Sequence, residues 1–285
     1  MKPCPECNGS GKIGGQWYRP GALAEARILG RWPSAAVSSI WSDGAWQMCE
    51  IGLPADLWAK AEALVKLNVK PRIGLDVAIF GDDWTAFHVR VGGVSLEHVT
   101  YNGRDTDHTI GQATVLADKW AAWASSVRIH GEPWTRKDIT FTVDPGGIGG
   151  DLHVRMRSQN LHGIPCGAGT PAQNPNEYPN RRSELWFLPV KRAMMGELHL
   201  GLLPVETRRM LKAQAMAPTW RLNAAGQMEV EPKEVTKAKI GRSPDDLDGM
   251  NNSYYEGIGF TPPTVVPNPS RRPTMGENKR DPFRR

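Results

Sequence analysis

The sequence predicts an α/β protein in which an antiparallel meander feeds a mixed sheet covered by helices, and three observations carry that expectation. Apolar runs over residues 73–80, 84–91 and 94–101 follow one another across turns at Gly81 and Gly92-Gly93, as adjacent antiparallel strands do. Beyond residue 101, helically spaced segments alternate with short β-rich runs, giving the order β-β-β-α-β-α-β-α with no internal repeat. With 285 residues, 40% hydrophobic and 23% charged, the composition is globular and leaves room for a substantial core.

Cys4-Pro5-Glu6-Cys7 and the glycine-rich turns after it form half of a zinc-ribbon knuckle. A structural zinc takes four ligands, and Cys49 and Cys166 stand alone. A Zn2+ site at Cys4 and Cys7 and a plain turn therefore both stay open. Gly9-Ser10-Gly11-Lys12 is not a phosphate loop: the long glycine spacing is missing, and Ile13 stands where Ser or Thr would hold magnesium. A short helix is expected within 21–35, stopped by Gly30 and Pro33, and residues 36–53, with Trp41 and Trp46, read as turns. Residues 54–67 read as a helix with Pro54 in its first turn and Leu57, Trp58, Ala61, Leu64 and Val65 on one stripe.

After the meander, Ile110, Ala113, Leu116 and Trp120 mark an amphipathic helix over 109–127. Residues 139–143 form a β run that ends at Asp144 and the glycine-rich loop 145–150. Helices over 151–159, 180–195 and 205–216, a strand over 161–166 and a hairpin over 220–222 and 228–231 follow. The charge run 233–239 reads as solvated surface. Ser243 is placed as the N-cap of a last helix, with Pro244 at its first position and Asp245, Asp246 and Asp248 crowding its first turn. From residue 261, Pro, Arg, Asn and Ser dominate without periodicity, which reads as a disordered basic tail.

A net charge of +5 and a pI of about 9.1 permit a polyanionic partner. No apolar run approaches the roughly 20 residues that span a bilayer. The start of the chain lacks the apolar stretch of a signal peptide. Four scattered cysteines fit a reducing, cytosolic setting without a disulfide framework.

The chemistry lies in three acidic places. Asp76 interrupts an apolar run, Asp144 ends a later strand, and Asp245, Asp246 and Asp248 open the last helix. Singly, each has an ordinary reading: a wet strand face, a turn residue before Pro145-Gly146, a complement to the helix dipole. Strand ends and helix starts on one edge of a sheet can converge, however, as ligand sites in open α/β sheets do. Carboxylates brought together repel and call for cations, and oxygen-only ligands select hard divalent ions.

In that order and context the chain resembles the nuclease domain of the large terminase subunit of tailed bacteriophages, which has a ribonuclease H-like fold. The pieces that carry the resemblance are Ile73-Gly-Leu-Asp-Val-Ala-Ile-Phe-Gly-Asp-Asp-Trp-Thr85, Thr142-Val-Asp-Pro-Gly-Gly-Ile-Gly-Gly150, Tyr178-Pro-Asn-Arg-Arg-Ser-Glu-Leu-Trp186 and Gly241-Arg-Ser-Pro-Asp-Asp-Leu-Asp-Gly249. Residues 22–34 are similar to the segment that closes the family's ATPase domain. The resemblance implies an N-terminal extension and linker over 1–70, a ribonuclease H-like mixed sheet flanked by helices over 71–260, and the tail over 261–285. It implies a two-metal endonuclease that uses Mg2+ or Mn2+ and cuts double-stranded DNA to generate genome ends during packaging, with Asp76, Asp144 and Asp248 as catalytic metal ligands and Asp245 as a fourth. Asp83, Lys233 and Glu184 are expected to support the site, Glu184 through a salt bridge. Arg181, Arg182 and Arg242 are expected to meet DNA phosphates.

Two positions depart from the family's pattern: Pro145 follows the second acid where a polar or acidic residue is usual, and Asp151 stands where a small or apolar one is. No Walker A or B pattern occurs, so the resemblance implies a separate terminase ATPase part, with the small terminase subunit and the portal as further partners, in the cytoplasm of an infected or lysogenic bacterial host. Two other readings remain open: a different ribonuclease H-like enzyme such as a junction resolvase or transposase, and a non-catalytic module that docks on DNA or a portal ring.

Overall fold

The alternation of side chains along one short strand arranges the molecule. In β1, Arg72–Asp76, Ile73 and Leu75 are fully buried in the larger core, while Gly74 and Asp76 point to the opposite face. In the computed structural model, residues 12–13, 16–17, 38–78, 83–144 and 149–257 are described. Cys4, Cys7, the helix expected within 21–35, the Gly81-Asp82 turn and the tail from 261 fall outside them.

The expected α/β layout is what the chain forms. β2 (Thr85–Val91) and β3 (Val94–Tyr101) complete the meander with β1, and β4 (Thr140–Val143) and β5 (His162–Pro165) add to its other side. The sheet order is β3-β2-β1-β4-β5, antiparallel through the meander and parallel from β1 to β4 to β5. The alternation holds across it: Phe87 and Val89 on β2, and Phe141 and Val143 on β4, share the core of Ile73 and Leu75. That core is covered by α2 (Pro54–Lys66) and α3 (Thr106–Val127), through Leu57, Ala61, Val65, Ile110, Leu116 and Trp120. Asp105 caps α3, its carboxylate accepting from the His108 N–H. α4 (Gly149–Ser158) follows β4.

The opposite face receives α8, Asp245–Ser253, which packs on β1, β2 and β4. Behind it, α1 (Asp43–Glu50), α5 (Arg181–Met194) and α6 (Val205–Met216) build a second core around Trp41, Trp46, Trp186, Leu247 and Met250. Residues 38–70, on the linker side of the expected boundary at 70/71, thus contribute to both cores. The small hairpin β6 (Trp220–Leu222) and β7 (Met228–Val230) leads into α7, Lys233–Ile240.

Three local expectations need correction and one needs an addition. Residues 43–50 are helical rather than turns: Ser42 accepts from the Ala45 N–H as N-cap, and Ala45, Trp46 and Cys49 line the buried face. The charge run 233–239 is largely exposed, as expected of solvated surface, and is also helix α7, ended by Gly241 in the left-handed region at φ 74°. Ser243 does not cap α8. Pro244 holds the cap position, and the Ser243 hydroxyl is buried without a hydrogen-bond partner among the described residues. Finally, β1 stops at Asp76, short of the expected strand end at residue 80, and β2 starts at Thr85. The ladder opens there because Thr85 uses its hydroxyl to bond both the N–H and the carbonyl of Ala78, while the Trp84 N–H turns away to Asp245.

α8 can lie on β1 only because both surfaces are bare. A Cβ on Gly74 would stand 2.0 Å from the Gly249 carbonyl oxygen and 2.3 Å from the Ser253 nitrogen, and one on Gly249 would stand 2.9 Å from the Ala86 carbonyl oxygen. Polar contacts then pin the far end of the helix. Arg90 Nε donates to the Ser253 carbonyl at 2.8 Å, Arg72 Nη2 to the Tyr255 carbonyl at 2.8 Å, and Asn252 Nδ2 to the Leu75 carbonyl at 3.1 Å. Two guanidinium groups at a helix C-terminus also complement its dipole.

Gly74→Ala is therefore expected to cost about 3 kcal/mol through overpacking. Gly111→Ala, in α3 where the added methyl meets nothing within 4 Å, should gain about 0.5–1 kcal/mol. Equilibrium denaturation of both variants checks the pair; equal stability for the two would remove the close seating of α8 as a constraint.

Candidate metal centre

Parallel pairing of β1 with β4 brings two acids side by side. Leu75 is in register with Val143, so the next residues along, Asp76 and Asp144, leave the ends of neighbouring strands together. Both fall on the α8 face by alternation, and the Asp144 N–H donates to the Leu75 carbonyl at 3.3 Å. The first turn of α8 supplies the rest. Asp245 and Asp248, three apart and so on one side of the helix, face Asp76. One carboxylate oxygen from each of Asp76, Asp245 and Asp248 lies within 4.8 Å of the others. Asp144 is close enough to add to the repulsion felt by Asp76.

Helix α7 brings the counter-charge. Lys233 Nζ stands 3.1 Å from Asp245 Oδ1, 3.2 Å from Asp248 Oδ2 and 3.7 Å from Asp76 Oδ2. Burial works against this ammonium, but Asp248, Asp76 and Asp245 outweigh it and raise its pKa. One turn further along α7, Lys237 pairs with Asp83 at 2.8 Å. Asp83 therefore ties the segment before β2 to the helix that carries Lys233. The Trp84 N–H donates to Asp245 Oδ2 at 2.8 Å, so this segment also holds one of the clustered acids directly.

The other expected residues are placed differently. Glu184 is buried, and both its oxygens are engaged: it accepts from the Gln173 and Asn174 N–H groups and from Arg181 Nη1 at 2.8 Å. It is a structural ion pair that shapes the loop before α5. Arg181, expected at DNA phosphates, is buried in that pair with its guanidinium over Tyr255 at 4.4 Å, and burial takes it out of reach of a polyanion. Arg182 donates to the Glu231 carbonyl and lies 6.0 Å from the Trp186 ring, leaving Nη2 buried without a hydrogen-bond partner among the described residues. Arg242 pairs with Asp246 at 2.6 Å and faces the Trp84 ring at 4.9 Å. Two arginines expected on the DNA side therefore hold the site's own elements.

The donor set suits a hard divalent cation. It is carboxylate oxygen throughout, and it already gathers around a positive charge, the Lys233 ammonium. The pieces that sequence reasoning missed are α7 and the Trp84 N–H. The helix had a signal, Pro232 ahead of Lys233 with Glu234 in the first turn, but its charges masked it. The backbone donor had none.

Comparison with known proteins places the architecture. No protein-family model and no curated protein sequence matches the chain. Solved structures do. The nuclease domain of the large terminase subunit gp2 of bacterial virus Sf6 is similar with a TM-score of 0.57 at 14% identity, over 76% of this chain and 98% of that one. A mutant of that domain with manganese and beta-thujaplicinol gives 0.56 at 14% identity over 76% of this chain and 98% of that one. The large terminase nuclease of thermophilic phage G20c with bound magnesium gives 0.50 at 13% identity, over 77% of this chain and 97% of that one. The chain thus has the fold of phage large terminase nuclease domains. Among its described residues no helix is long and apolar enough to cross a membrane.

The acid cluster has a thermodynamic signature. Burial raises the pKa of Asp76; Lys233 opposes this, and Asp248, Asp245 and Asp144 add to it. A raised acid holds its proton more tightly folded than unfolded. Its contribution to stability is therefore present below the unfolded value of about 4 and is lost as pH rises through the folded value. Metal-free Asp76→Asn should accordingly melt higher than wild type at about pH 7, with the gap closing toward about pH 4. Thermal melts in a chelator across that range check this; a variant that melts lower near neutrality would mean that the attraction of Lys233 outweighs the burial of Asp76.

Proposed function

We propose that this chain, folded as a phage large terminase nuclease domain, is a divalent-metal-dependent endonuclease that cuts double-stranded DNA to generate genome ends during packaging. The observation that carries the reading is the convergence of Asp76, Asp245 and Asp248 around one ammonium, with Asp144 at the adjoining strand end. Charge of that density is costly to hold together without cations. The similar Sf6 and G20c domains were solved with manganese and magnesium respectively.

In this reading Asp76, Asp144 and Asp248 are the catalytic ligands, Asp245 is a further one, and Mg2+ or Mn2+, as a pair of ions, is the cofactor. When bound, such ions supply the Lewis acidity and the activated water that phosphodiester hydrolysis needs. The chain's own residues do the positioning. β1 and β4 present Asp76 and Asp144 from rigid strand ends, and α8 presents Asp245 and Asp248. The Trp84 N–H orients the Asp245 carboxylate, and Lys233 neutralises the cluster until a stronger cation competes for it. The substrate is held through phosphates rather than read by sequence. The motor is supplied by a separate terminase ATPase part, with the small subunit and portal as assembly partners, inside the infected or lysogenic host cell.

Purified protein should nick and then linearise supercoiled plasmid with manganese, and Asp76→Asn should fall to background while keeping its fold. Absence of cleavage with every divalent ion tried would sink the nuclease reading. Binding of plasmid without cutting would point to a docking module, and preference for branched DNA to a resolvase. Because the Lys233 ammonium and a metal ion compete for the same oxygens, Lys233→Ala should melt lower than wild type in a chelator. It should also reach half-saturation at lower manganese in a thermal-shift titration. Unchanged manganese dependence would remove Lys233 from the site.

A further inference from the structure

Between the two clustered acids of α8 lies a third that points the other way. Asp246 is fully buried. Its Oδ1 accepts from His98 Nε2 at 3.2 Å, and its Oδ2 accepts from Gln214 Nε2 and Arg242 Nη2, each at 2.6 Å. The Gln214 amide is itself oriented, because its oxygen accepts the Leu247 N–H at 2.9 Å. α8 has no side-chain N-cap, so at its start these bonds, together with the Trp84 N–H and Lys233 on the outward-facing acids, set its rotation. Helical spacing links the two faces of that turn rigidly: a twist that loosens Asp246 also swings Asp245 and Asp248 off Asp76 and Lys233.

His98 continues the network into the sheet. It lies directly opposite His88 on the neighbouring strand, with their Nδ1 atoms 3.3 Å apart, and His88 Nε2 is 2.9 Å from Ser95 Oγ. A carboxylate only accepts, so His98 Nε2 carries a proton. With both rings neutral the chain runs one way: the Ser95 hydroxyl to His88 Nε2, His88 Nδ1–H to His98 Nδ1, and His98 Nε2–H to Asp246. Every ring nitrogen in the pair is then satisfied, which holds the His98 ring in one orientation.

We propose that His98 is a positioning residue for the metal centre: through Asp246 it sets the rotation of α8 and thereby the placement of Asp245 and Asp248. This rests on the metal-dependent reading of the cluster, and one of its two tests is independent of metal. His98→Gln keeps an N–H donor able to reach Asp246, whereas His98→Leu removes it. In the full chain, manganese binding by calorimetry should weaken by about tenfold or more for His98→Leu, the usual scale for losing an outer support of a metal site, and should stay within about threefold of wild type for His98→Gln. Separately, in a chelator, acetylation of Lys233 read by mass spectrometry should be several-fold faster for His98→Leu than for wild type, because the acids that hold its ammonium have moved. A purely structural His98 would lower the melting temperature of both variants and leave manganese affinity and Lys233 labelling as in wild type below the melt, and that result overturns the proposal. If wild type binds no manganese while Lys233 labelling still separates Leu from Gln, the metal reading falls and the positioning role stands. Should His98→Leu not fold, Gln214→Met, which removes the amide from the same carboxylate, is expected to show the same two changes, and wild-type behaviour from it overturns the proposal.

Discussion

Helix α8 lies on strand β1 with no side chain between them, because Gly74 and Gly249 leave both surfaces bare and a Cβ on Gly74 would stand 2.0 Å from a backbone oxygen. This close approach has consequences at both ends of the helix. At its C-terminus, Arg90 and Arg72 can reach from the sheet to the last carbonyls of the helix and the chain just beyond it. At its N-terminus, the first turn comes down beside the end of β1, where Asp76 leaves the ladder. A larger residue at position 74 would lift the helix and separate acids whose interest lies in their proximity.

Electrostatics explains why acids so close together do not simply push the helix away. Asp245, Asp246 and Asp248 share one turn but meet different fates. Asp246 turns inward and is met by His98, Gln214 and Arg242, which together engage both its oxygens. Although burial alone would raise its pKa, bonding to His98 and Gln214 lowers it on balance, so it stays an ionised anchor. Asp245 and Asp248 turn outward to Asp76 and share the Lys233 ammonium. The same helix thus carries a satisfied carboxylate that holds it and two only partly compensated ones that can be used. Buried charge is tolerable where each lone pair finds a donor and becomes a cation site where they do not.

The parts of the fold that came from periodicity were readable from the chain. The apolar runs of the meander, the long apolar stripe of α3 and the β run ending at Asp144 all depend on near neighbours, and the structure has them. The elements that were missed are those whose local signals conflict. α7 is a helix with a solvated charge pattern, and α1 carries Gly44 and Trp46 in a turn-like setting. Arg181 shows the same limit for function. Its position beside Arg182 looks basic and available, yet Glu184, one turn along α5, and the Tyr255 ring enclose it.

The sequence by itself determined which residue types were on hand: an acid inside an apolar run, an acid at the end of a later strand, and an acidic helix start, in an order that resembles the terminase nuclease. Those are facts of composition and short-range spacing. Only the tertiary structure decided which of them meet. Asp76 and Asp144 come together because β1 and β4 pair in parallel, with Leu75 opposite Val143. Asp245 and Asp248 join them because two glycines far apart in the chain let α8 touch the sheet. Lys233 reaches all but Asp144 in this group because α7 folds back over the end of β1. Each of these depends on register or on a backbone approach between residues distant in sequence, and local propensity carries no record of either.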